Sequence, residues 1–150
     1  MNHLRVLFLL AAASMVGGCF GHGRVGDPLE YVAQPARISD PAEEVKSLIL
    51  ANTNNGCVSE PIFQKKMLLE KFVCSLGVGN SLVRFDQVKS ITLEKSGEWF
   101  GARVRHSSSV EDFLWTSKSR EDMERMIDAL TVLSGASSAG FAADKDASKI

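Results

Sequence analysis

The side chains that bear on chemistry here are three cysteines, three histidines and two tryptophans set near a pair of arginines. Nucleophilic catalysis needs a serine or cysteine, a histidine base and an orienting acid. His3 lies at the extreme N-terminus and His22 in a glycine-rich stretch, which leaves His106 beside a serine-rich turn with no glycine-flanked nucleophile motif. A closed zinc site wants four nitrogen or sulfur ligands at short spacing. Cys57 and Cys74 are far apart and no histidine pair accompanies them. The carboxylate pairs Glu43/Glu44 and Glu121/Asp122 fall in the opening turns of expected helices, where the helix dipole favours negative charge, and Glu111/Asp112 opens an expected strand in solvent. Gly77-Val78-Gly79-Asn80 lacks the lysine and following helix of a phosphate loop. The expectation is a noncatalytic chain with no metal and no cofactor.

Binding is the better prospect. Trp99, Arg103 and Arg105 alternate along one expected strand and Trp115 lies on the next, the composition of an interface hot spot for a protein partner. The competing arrangement packs both tryptophans beneath a helix and leaves the arginines in solvent. A formal net charge of −1 excludes the basic excess of a nucleic-acid footprint, and Lys65, Lys66 and Lys71 are interleaved with Glu70 as on a solvated face.

Cys19 closes a different pattern. Met1–Arg5 carries one positive charge, Val6–Val16 is almost wholly apolar, and Gly17-Gly18 then presents the cysteine. The apolar run falls short of the roughly 20 residues needed to span a bilayer. The run Val16-Gly17-Gly18-Cys19 resembles a bacterial lipoprotein signal peptide, whose cysteine receives a diacylglycerol thioether and becomes the first mature residue. That resemblance implies removal of residues 1–18 and a lipid on Cys19 that anchors the chain to a membrane, facing the periplasm. Phe20 stands where an aspartate would favour inner-membrane retention, so the outer membrane is expected. Cys57 and Cys74 are then an even pair in an oxidising compartment. A disulfide is favoured over two free thiols, and would contribute about 3 kcal/mol for a loop of about 17 residues.

The elements that position these residues follow from spacing. Residues 19–39 show no periodicity and are punctuated by Gly21, Gly23, Gly26, Pro28 and Pro35, as in a flexible tether. Asp40 as N-cap, Pro41 in the first turn and Glu43 completing a capping box open a short helix with Val45, Leu48 and Ile49 on one stripe, ended by Asn52 to Gly56. Residues 60–76 carry both helix and strand signals, and the β context that follows favours a strand. Strands are expected over Leu82–Phe85, Val88–Lys95, Trp99–His106 and Val110–Thr116. Ser119 caps a final helix whose Met123, Met126, Ile127, Leu130 and Leu133 form one apolar stripe, and Gly135 stops it. The globular part is thus one domain over 40–135, with a polar tail over 136–150 that is too poor in apolar residues to order itself.

This is an α+β design: antiparallel hairpins, a short N-terminal helix, and a C-terminal helix across one face. The stretch from Leu82 to Leu93, then a hairpin, then Phe113-Leu114-Trp115-Thr116-Ser117 leading into Met126-Ile127-Asp128-Ala129-Leu130, resembles a pleckstrin-homology-like domain. The similarity spans about residues 62–134 and implies a bent antiparallel sheet, a half barrel closed by its last helix. It departs at the front, where the family has more strands than the pattern yields. The resemblance implies a recognition scaffold, here a lipid-anchored binding module or adaptor of the cell envelope. An inhibitor or immunity lipoprotein that blocks a wall-degrading enzyme or toxin is the alternative.

Overall fold

Backbone chemistry at the helix ends sets the frame. The Asp40 carboxylate accepts from the Glu43 N–H, and Pro41 opens α1 (Pro41–Ala51). The Ser119 hydroxyl accepts from the Asp122 N–H at the start of α2 (Arg120–Ser134), and Gly135, at φ 63°, closes α2 in the left-handed conformation. The computed structural model of the chain describes residues 26–52, 57–74, 77–107 and 112–136. Cys19, the segment 1–25 and the tail from residue 137 lie outside the described residues.

The fold is α+β: the described residues form seven strands in two antiparallel sheets that do not close into a barrel, consistent with a bent-sheet half barrel. One sheet runs β1-β5-β6-β7, made of Asp27–Leu29, Val88–Ser96, Trp99–His106 and Asp112–Ser117. The other is the meander β2-β3-β4, made of Val58–Gln64, Met67–Cys74 and Gly77–Arg84. A single 3-10 turn at Phe85–Gln87 carries the chain from one sheet to the other. Within the stretch 60–76, the described residues, up to Cys74, therefore belong to two strands joined by a turn and not to a helix. Lys65, at φ 51°, makes the tight turn between them.

The core lies between the sheets and the helices. Ile91 and Leu93 of β5, Ala102 and Val104 of β6, Leu68 of β3 and Val83 of β4 meet Met123, Met126, Ile127 and Leu130 of α2, with Val45, Leu48 and Ile49 of α1 against them. The alternation of β6 is as its sequence reads, with Ala102 and Val104 turned inward and Arg105 outward. Cys57 and Cys74 are joined by a disulfide that ties the start of β2 to the end of β3.

The tether expected over 19–39 is corrected from Gly26 onward. Asp27, Pro28 and Leu29 pair with Lys95, Glu94 and Leu93 as an edge strand. A 3-10 turn at Pro35–Arg37 then lies against α2. The cause is long-range polar contact that leaves no local period. The buried Asp128 carboxylate of α2 accepts from the Tyr31 hydroxyl at 2.8 Å, the Gln34 N–H at 2.6 Å, and Arg37 through Nε at 2.9 Å and Nη2 at 2.6 Å.

Candidate functional site

Two surfaces compete for function: the outer face of the β1-β5-β6-β7 sheet and the outer face of the meander. On the first, β6 presents Trp99, Gly101, Arg103 and Arg105, flanked by Glu94 and Ser96 of β5 and by Asp112, Leu114 and Thr116 of β7. A shallow cleft of about 190 Å³ lies at one end, lined by Gly26, Glu94, Ser96, Trp99, Phe100, Gly101, Leu114 and Thr116. Gly101 makes room for it to be floored: a Cβ there would stand 2.8 Å from Leu114 Cδ1.

The four binding candidates do not form one surface. Trp99 is partly exposed at the rim, with the Lys118 ammonium 5.4 Å from its ring centroid. Arg103 is only 3% exposed. Its Nε and Nη2 grip Glu94 Oε1 and Oε2, the second contact at 3.0 Å, and its Nη1 reaches Asp112 Oδ2 at 3.4 Å. The hydrogen bond to Glu94 is the first cause of the raised Arg103 pKa, so this guanidinium stays charged and committed to the protein. Arg105 is exposed and its Nε shares the same Asp112 oxygen at 3.3 Å. Trp115 sits on the opposite face of the sheet, in register with Ala102, and its indole N–H donates to Glu70 Oε2 of β3 at 3.0 Å. The other Glu70 oxygen accepts from the Ser59 hydroxyl at 2.9 Å. Trp115 thus joins the two sheets.

Glu94 is the residue that strand alternation alone misplaces. It lies on the polar face of β5, where solvation is the ordinary expectation. Instead it is buried, because the Gly26 N–H donates to it at 3.2 Å while Arg103 grips it from β6. Only the β1–β5 pairing, between segments distant in sequence, brings Gly26 to it. No sequence period signals that.

The meander offers the second surface. Val58, Val73 and Val78 stand directly opposite one another across β2, β3 and β4, at 72%, 54% and 75% exposure. Four residues along, Ile62, Leu69 and Leu82 form a parallel row on the same face, with Leu82 44% exposed. Glu60, Lys71 and Asn80 lie between the rows. Apolar residues aligned across three strands on the solvent face of a sheet differ from the singly scattered apolar residues of any surface.

Among the described residues, no group of three or more His, Cys, Asp or Glu is placed to hold a metal ion. Among them, too, no helix is long and apolar enough to cross a membrane. No protein-family model, no curated protein and no solved structure matches the chain.

Proposed function

We propose that this chain is a noncatalytic binding module of the bacterial cell envelope, held to the outer membrane by a lipid on Cys19, and that it recognises a protein partner. The observation that carries the reading is the double apolar row of the meander, Val58/Val73/Val78 and Ile62/Leu69/Leu82, on the solvent side of the β2-β3-β4 sheet. A partner that covered these rows would remove apolar surface from water at about 25 cal/mol per Å². The Cys57–Cys74 disulfide fastens the strand ends at the Val58/Val73 row, so the surface enters a complex already ordered, and it fits an oxidising compartment. The pleckstrin-homology-like resemblance adds a recognition scaffold by analogy of fold.

The test is a photo-cross-linking amino acid at position 73 or 78 in the full chain, expressed in a bacterial envelope. A discrete adduct is expected from both positions; the one from position 73 should vanish in Val78→Glu and the one from position 78 in Val73→Glu, with the melting temperature unchanged because both side chains are mostly exposed. An adduct of equal strength from exposed Lys89 on the other sheet, or none from the meander, would defeat the reading.

A further inference from the structure

We propose that the rim of the β1-β5-β6-β7 sheet centred on Trp99 rests on the surface of a lipid bilayer, the one that holds the lipid on Cys19; the proposal rests on the lipid-anchor reading above. β1 runs antiparallel to β5 with Asp27 opposite Lys95, so the next residue back, Gly26, stands level with the β5–β6 turn. Gly26 lines the same cleft as Ser96 and Trp99, and its N–H is fastened to buried Glu94. Only residues 20–25 separate Cys19 from this fixed point. Seven residue steps reach at most about 25 Å when fully extended.

A domain of this size is roughly 35 Å across, given a radius of gyration of about 13 Å for 100 residues. The Gly26 rim therefore stays within about 25 Å of the anchor, less than the width of the body. The opposite end of the sheet, at Val88, His106 and Asp112, lies about 25 Å further away along the strands. What the rim presents suits the headgroup layer. Trp99 is a partly exposed amphipathic ring, with Lys118 over it at 5.4 Å, and Lys95 lies 5.5 Å from the Phe100 ring centroid. Tryptophan is enriched where membrane meets water, and lysine stems lie along apolar surface with their charge in the wet layer. Asp27 and Glu98 share this rim, and Glu98 meets Lys118 at 3.4 Å, so its charges balance. The aromatic ring, rather than net charge, is what engages the bilayer.

The test uses the full lipidated chain in phosphatidylethanolamine/phosphatidylglycerol vesicles whose acyl chains carry bromine, a quencher of tryptophan emission. The chain has two tryptophans, and Trp115 is held between the sheets. Quenching of roughly half the emission is expected on this two-fluorophore basis. It should fall several-fold in Trp99→Phe and in a variant with a long Gly/Ser insertion after Gly23. Lipidated protein, verified by mass, that shows no quenching would overturn the bilayer contact and leave the anchor standing. Quenching that persists in Trp99→Phe would overturn it as well. Material with no lipid on Cys19 would overturn both the contact and the anchor.

Discussion

Asp128 illustrates what a single buried carboxylate does in this chain. It sits in α2 beside Ile127 and Ala129, off the apolar stripe, and by helical spacing belongs in solvent. It is buried because Tyr31, Gln34 and Arg37 lie over it and supply four donor contacts. Burial and the hydrogen bond to Asp128 push the Tyr31 phenol well above its ordinary value near 10. The native state therefore holds the phenolic proton more tightly than the unfolded chain does. The resulting stabilisation is complete below about pH 10 and is lost as pH rises through the unfolded and then the folded pKa. Tyr31 is the one tyrosine of the sequence, so tyrosinate absorbance reads it alone. Its titration midpoint should lie well above that of the urea-unfolded chain; coincident midpoints would show that the clamp does not form. Tyr31→Phe should cost about 1 kcal/mol at neutral pH, the worth of one hydrogen bond, and should flatten the alkaline loss of stability. Charge and hydrogen-bond partners separated by more than ninety positions leave no trace in local spacing, which is why this contact was not legible while the caps Asp40, Ser119 and Gly135 were.

At the scale of elements, legibility followed locality. β6 occupies Trp99–His106 as its alternation implies, and α2 runs from its Ser119 cap to Gly135. The stretch 60–76 was ambiguous for a physical reason: apolar residues stand at both parities, because Leu68 faces the core while Leu69 and Val73 belong to the solvent-side apolar rows. β4 also begins earlier than its apolar content suggests, since Gly77, Gly79 and Asn80 pair through backbone alone. Two measurements test the packing. Leu130 of α2 is almost fully enclosed, so Leu130→Ala should cost about 2–5 kcal/mol through lost contact and a residual cavity. Urea unfolding that shifts by less than about 1 kcal/mol would mean the helix does not carry the core. Cys57→Ser with Cys74→Ser should cost about 3 kcal/mol for a bridge with a sequence separation of 17. It should also raise amide exchange first at the Val58/Val73 end of the meander. Exchange that rises evenly over both sheets would argue against a local clamp.

Across the whole molecule, three tertiary contacts unite pieces whose sequences do not announce one another. Trp115 bridges to Glu70 between the sheets, Asp128 gathers the segment before α1, and Glu94 joins Arg103 to the Gly26 backbone. The four aromatic and basic binding candidates were legible as residues, but not as a site. Arg103 and Trp115 are spent on these internal contacts, and Trp99 alone of the aromatic pair stays at the rim. Gly26 is where this architecture is most open to a single test. A Cβ there would stand 2.8 Å from the Lys95 carbonyl oxygen and 3.2 Å from Glu94 Cβ, so a side chain forces backbone apart and not merely a flexible tip. Gly26→Ala should cost about 1–3 kcal/mol, the usual range for overpacking. The loss should be uneven. Amide exchange should quicken at Leu29 and its partner Leu93, while Ile127 and Leu130, on the far side of the sheet, stay protected. If β1 loosens in this way, the fixed point moves from Gly26 towards the Asp128 clamp at Tyr31, and about five more residues are added to the span from Cys19. Bilayer quenching of Trp99 should then weaken in the same variant that speeds exchange in β1. Faster exchange in β1 with undiminished quenching would show that Trp99 reaches the bilayer independently of this edge strand.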